Sequence, residues 1–165
     1  MAKESSFDIV STVDMQEVDN AFGQAKKELA QRYDLKDSGS TITLDKSAKT
    51  ITVLAPSDFV VGQVIDIIAS KLIRRKVDIQ SLKWGNPENA SGGNVRKVAR
   101  IIEGIDKETA SAINKDIKSQ KFKAKVQIEG DHLRVSSASR DTLQDVIAFV
   151  KSKDYGQPLQ FTNYR

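Results

Sequence analysis

One ordering of hydrophobic periodicities occurs twice in this chain. Each time a segment with alternating apolar residues is followed by an amphipathic helical segment. Two short alternating segments joined by a polar turn come next, then a second helical segment and a last short apolar run. Alternation places successive side chains on opposite faces of a strand, whereas recurrence at three and four residues gathers them on one helix face. Each half therefore reads β-α-β-β-α-β, which gives four strands and two helices. Two helices can cover only one face of such a sheet, so the other face must be polar or be covered by a partner.

In the first half, Phe7, Ile9, Ser11 and Val13 alternate with Asp8, Val10 and Thr12. Asp14 stands at a helix start with Glu17 three residues on, the pattern of a capping box. Val18, Phe22, Ala25, Leu29 and Tyr33 then recur at helical spacing. Thr41–Asp45 and Thr50–Leu54 predict a hairpin, with Ile42, Leu44, Ile51 and Val53 on one face. Ser57 precedes a helix predicted from Phe59 to Lys76, and Ile79–Trp84 predicts a strand. Gly85–Asn94 is rich in turn residues and is the clearest internal boundary, dividing the chain into units 1–90 and 91–165.

The second half repeats the order. Val95–Glu103 predicts a strand, and Asp106 caps a helix running to about Gln120. Lys123–Ile128 and His132–Ser136 predict a hairpin around Glu129-Gly130-Asp131, and Ser139 opens a last helix. Leu159–Tyr164 predicts the final strand. Ser57 and Ser139 are offset by 82 residues, which supports the duplication. The expected fold is α+β: tandem ferredoxin-like β-α-β-β-α-β domains with four-stranded antiparallel sheets, a layout shared by many RNA-binding domains.

Charge is the next constraint. Residues 1–90 carry 12 Lys+Arg and 13 Asp+Glu, and residues 91–165 carry 14 and 9. Alternation puts Lys123, Lys125 and Arg134 on the open face of the second sheet, with Arg96, Lys97 and Arg100 on a nearby strand. The matching first-half positions, Thr41, Thr43, Thr50 and Thr52, are uncharged. Lys and Arg suit phosphate, and Arg can hold it through two parallel bonds. These six cations are the candidate nucleotide or nucleic-acid site. The same pattern also suits a solvated sheet edge, where Lys opposes strand-to-strand aggregation. No aromatic residue lies on the hairpin strands, so base stacking by the usual RNA-recognition route is disfavoured. Phe161 reads as core, Trp84 as a core or interface residue, and Tyr164 as exposed.

No catalytic constellation is legible. The chain has no cysteine, one histidine (His132) without a metal-spaced partner, and no phosphate-binding glycine loop. No cofactor, no metal and no enzymatic activity are expected. The absence of an apolar leader and of any membrane-length apolar run predicts a cytoplasmic protein.

Several stretches carry a resemblance. They are Ser6-Phe7-Asp8-Ile9-Val10-Ser11, Ser57-Asp58-Phe59, Glu103-Gly104-Ile105, Val126-Gln127-Ile128-Glu129-Gly130, Arg134-Val135 and Ser139-Arg140-Asp141-Thr142-Leu143-Gln144. The tail from Gly156 to Arg165, GQPLQFTNYR, is the most distinctive. Together they resemble the YajQ family of bacterial nucleotide-binding proteins over essentially the whole chain; Thr12 departs from the Glu that members often carry. The resemblance implies two RNA-binding-type domains that exchange first strands. Phe7–Thr12 would join the second sheet and Val95–Glu103 the first, giving domains 13–103 and 1–12 with 104–165. It implies binding of a nucleotide or RNA. The alternative is a signalling adaptor that responds to a cyclic dinucleotide through a protein partner, and a second copy of the chain is a further candidate partner.

Overall fold

The computed structural model describes residues 3–165. The chain divides into two compact units. One consists of the segment ending at Thr12 together with Glu103–Arg165, and the other is Val13–Ile102.

The unit Val13–Ile102 contains helices α1 (Met15–Gln31) and α2 (Asp58–Arg74) and strands β2 (Thr41–Asp45), β3 (Thr50–Ala55), β4 (Leu82–Trp84), β5 (Glu88–Asn89) and β6 (Val95–Ile101). Its strand order is β2-β3-β6-β4, with β5 paired to β6, and every pairing is antiparallel. This sheet therefore has five strands where four were expected. The three residues of β4 cover only Ala99–Ile101 of the longer β6, and β5 occupies the edge beside Val95 and Arg96. Gly85–Asn94 connects neighbouring strands inside this sheet. The Gly85 N–H donates to the Val98 carbonyl, and the Ala90 N–H to the Asn94 carbonyl. One face is closed by the helices: Val18, Phe22, Ala25 and Leu29 of α1 and Val61, Val64, Ile68 and Leu72 of α2 pack with Ile42, Ile51, Val53 and Ala99. Removing a side chain of this size from water stabilises by about 1.5–3 kcal/mol.

The other unit contains β1 (Ser5–Val10), α3 (Lys107–Ser119), β7 (Lys125–Glu129), β8 (His132–Ser137), α4 (Arg140–Lys151) and β9 (Gln160–Thr162). Its antiparallel order is β7-β8-β1-β9, so β1 is a central strand, opposite Val135 at Phe7 and opposite Phe161 at Ile9. Phe7, Ile9, Leu133 and Val135 meet Ile113 and Ile117 of α3 and Leu143, Val146 and Val150 of α4 in a second core.

Cap chemistry sets the helix starts. Asp14 accepts from the N–H groups of Gln16 and Glu17, Ser57 from Val60, Asp106 from Thr109 and Ser139 from Thr142. Glu17 does not reach back as a capping box requires; its carboxylate takes hydrogen bonds from Asn20 and Arg75. Turn chemistry also shortens several predicted strands. Ile79–Ser81 is a 3-10 turn because the Asp78 side chain accepts from the Gln80 N–H and the Ser81 hydroxyl donates to the Asp78 carbonyl. β9 ends at Thr162 because Asn163 adopts φ 56°, yet Arg165 pairs again with Ser6 through both backbone bonds. Asp8 faces Thr162 and Ser6 faces Arg165, so the tail carries one extra residue, a β-bulge that re-aims the Asn163 side chain. Among the described residues no helix is long and apolar enough to cross a membrane.

Candidate nucleic-acid interface

The candidate cations fall on two different sheets. Arg96, Lys97 and Arg100 lie on β6 in the unit Val13–Ile102, while Lys123, Lys125 and Arg134 belong to the other unit. The predicted concentration of charge on one sheet is therefore not found. Val13–Ile102 holds 14 Lys+Arg against 11 Asp+Glu, and the remaining residues hold 12 against 11. The asymmetry between sequence halves disappears because β1 and β6 each pair away from their own half.

Register assigns the faces of the first of these sheets. Ile51 and Val53, both buried against the helices, stand opposite Ala99 and Lys97, so Lys97 lies on the helix side of β6. Thr50, Thr52 and Leu54 stand opposite Arg100, Val98 and Arg96 on the open side. The threonine face and the arginines thus form one surface. Lys83 joins them directly opposite Arg100, and both are exposed. Like charges facing each other across a strand pair repel and destabilise the sheet unless an anion intervenes. Neither Lys83 nor Arg100 makes an ion pair among the described residues. Asp45, in the same cross-strand row, spends its carboxylate on the Ala48 N–H of the β2–β3 turn. Arg96 faces Glu88 across the β5–β6 pair, again without an ion pair.

On the second sheet, Lys125 is the exposed first residue of β7, opposite Ser136. Lys123 precedes the strand; its carbonyl accepts from the Ser137 hydroxyl, which holds the entry to β7 in place. Arg134 has a different role from the one predicted. It faces Asp8 across β1–β8, and its Nε donates to Asp8 Oδ1 at 3.2 Å. Its terminal nitrogen lies 3.9 Å from Glu129. Asp8 is only 6% exposed, and its other oxygen accepts from Asn163 Nδ2 at 2.9 Å, the bond the bulge makes possible. Burial pushes the Asp8 carboxyl up, but the hydrogen bonds from Asn163 and Arg134 and the charges of Arg134 and His132 outweigh it. The carboxyl stays below its ordinary value. Arg134 thus holds an internal ion pair, and taking it away from Asp8 would leave a buried charge unpaired.

His132 lies between Glu129 and Asp131, at 3.5 and 3.4 Å. No group of three or more His, Cys, Asp or Glu side chains among the described residues could hold a metal ion. Trp84 stands opposite Ala99 and packs on the helix-side core, and Phe161 packs edge-on to Phe7 at 6.0 Å. The open face of β3, β6 and β4 thus offers cations and hydroxyls rather than aromatic platforms.

The alternation of Leu82-Lys83-Trp84 already contained the signal for Lys83, since Lys83 points opposite to both neighbours. The pairing of Arg134 with Asp8 spans 126 residues and left no local trace.

Comparison with known proteins agrees in scale with the fold. A family model described as nucleotide-binding protein YajQ-like matches residues 5–165. Similar chains include a nucleotide-binding protein of Geotalea uraniireducens, 51% identical over 160 residues covering 97% of this chain and 98% of that one. A nucleotide-binding protein of Trichlorobacter lovleyi is 50% identical over the same span and coverage. One of Chloroherpeton thalassium is 46% identical over 165 residues, all of both chains. With a match of this extent, the chain belongs to the YajQ-like family.

Proposed function

We propose that this protein is a non-enzymatic cytoplasmic binder of nucleotides and single-stranded RNA, and that the open face of β4 and β6 holds the phosphates. The observation that carries this reading is the cross-strand like-charge pair of Lys83 and Arg100, with Arg96 two residues along the same face. A sheet gains nothing from that arrangement by itself, whereas a phosphodiester backbone supplies the missing counter-charge. The names of the relatives, all nucleotide-binding proteins, support the ligand class. In the same reading the two units are ferredoxin-like domains that have exchanged first strands, and Lys123 and Lys125 form a smaller second cationic strip. Arg134 and Lys97 are removed from the phosphate-binding set, the first by its ion pair and the second by its face.

Without aromatic platforms on this face, binding tracks the backbone, tolerates sequence and weakens steeply with salt. The test is fluorescence anisotropy of a short labelled single-stranded RNA at several salt concentrations, with folding checked by circular dichroism. Arg96→Ala/Arg100→Ala should weaken binding and flatten the salt slope by about 0.7 for each lost contact. Lys123→Ala/Lys125→Ala should have a smaller effect. Unchanged affinity and slope in the folded arginine variant would overturn the assignment.

A further inference from the structure

A separate cavity of about 330 Å³ opens in the unit that contains β1, where β1 begins, α4 begins and the tail returns to the sheet. Its volume is at the lower end of the range for small-molecule sites. Two arginines line it, Arg140 at the first position of α4 and Arg165 in the tail. The Arg165 Nε donates to Asn163 Oδ1 at 3.4 Å, and its terminal nitrogens make no ion pair among the described residues. No carboxylate side chain lines it among the described residues. Ser5, Ser6 and Gln144 add hydrogen-bonding groups, and Leu143, which is buried, supplies an apolar floor. Tyr164 completes the wall. Its ring lies 6.2 Å from that of buried Phe7, yet the residue is 61% exposed.

We propose that this cavity binds one mononucleotide, with its phosphate on Arg140 and Arg165 and its base against Tyr164 and Leu143. The proposal rests on the nucleotide-binding reading above and gives it a second site of different chemistry. The sheet face offers cations without aromatics, whereas this cavity combines guanidinium groups, hydroxyls, an amide and one open aromatic ring. A nucleoside monophosphate needs that set together: a bidentate cation for the phosphate, a flat apolar contact for the base, and polar groups for its edge and the ribose. The fold prepares the geometry. Asn163 takes the left-handed bulge position, and the two backbone bonds between Ser6 and Arg165 then fix Tyr164 and Arg165 beside β1. Ser139 caps α4 at the Thr142 N–H, while the N–H groups of Arg140 and Asp141, at the start of the helix, have no intrahelical partners. They add positive potential at the place assigned to the phosphate, which the Asp141 carboxylate in the same turn partly offsets.

The experiment is isothermal titration of the full chain with adenosine 5′-monophosphate, inorganic phosphate and adenosine as separate ligands, repeated on Arg140→Gln and Tyr164→Leu. The monophosphate should bind more tightly than either fragment. Arg140→Gln should weaken it by about tenfold and weaken inorganic phosphate as well. Tyr164→Leu should weaken the monophosphate by a similar factor while sparing inorganic phosphate. Both variants should retain RNA binding on the sheet face, and Arg96→Ala/Arg100→Ala should retain the monophosphate site. Absence of monophosphate binding at millimolar concentration, or affinity unchanged in both variants, overturns the cavity assignment. RNA binding insensitive to the sheet arginines overturns the first reading instead.

Discussion

Replacing Phe7 by alanine tests whether the first strand is a structural centre of the unit it joins. Phe7 is 0% exposed, sits on a strand paired on both sides, and contacts Phe161 and Tyr164 with ring centroids 6.0 and 6.2 Å away. Truncating a fully buried Phe removes its transfer free energy and leaves a cavity, together about 3–5 kcal/mol. The surroundings of Phe7 are secured by Val135 opposite and by the bulged tail, so collapse into the space is resisted. The value expected is about 4 kcal/mol, a large share of the 5–15 kcal/mol typical of a domain. Native-state hydrogen exchange reads the effect residue by residue. The amides of Leu133, Val135 and Ile113 should lose protection, while those of Ile51 and Val53 should keep theirs. Trp84, the sole tryptophan, lies in the other unit and its fluorescence gives an independent reading there. Loss of protection at Ile51 and Val53 with Leu133 and Val135 unaffected would refute the reasoning.

Acid should weaken the unit containing β1 through Asp8. Its carboxyl is lower in the folded state than its ordinary value of 3.8, so the stability it contributes is present above that value and is lost below it, as pH falls through the lower folded value. Urea denaturation at about pH 6 and about pH 3 should show a smaller acid loss in Asp8→Asn than in the wild type; equal losses would contradict the Asp8–Arg134–Asn163 account. Tyr155 is the alkaline counterpart. Burial and its 2.7 Å hydrogen bond to Asp116 raise its phenol well above the ordinary value of 10.0, so its stabilisation is present below about pH 10 and declines above it. Tyr155→Phe should cost about 1 kcal/mol at neutral pH and remove that alkaline decline, measured by urea denaturation at neutral pH and above about pH 10.

Most elements were legible because their causes are local. Period and cap residues located the four α-helices among the described residues, and Asp14, Ser57, Asp106 and Ser139 act as the N-caps their positions predicted. Both hairpins follow from β-branched alternation around short polar turns. Strand ends were less legible, because the Asp78 turn and the Asn163 bulge depend on side-chain bonds that no apolar pattern reveals. The candidate site suffered most. Alternation tells which residues of a strand share a face, but not which strand lies next to it. Arg96 and Arg100 therefore arrive among the threonines of β3, where they meet Lys83. Arg134, identical to them by charge and alternation, is taken by a carboxylate from the far end of the chain.

The most direct test of the central claim is a titration of isotope-labelled protein with a short single-stranded RNA, followed by amide chemical shifts at low and high salt. Phosphate binding on the open face predicts the largest shifts at Lys83, Thr50, Thr52, Arg96 and Arg100, fading together as salt is raised. Shifts confined to the helix faces of α1 and α2, or shifts at β4 and β6 that ignore salt, would contradict it.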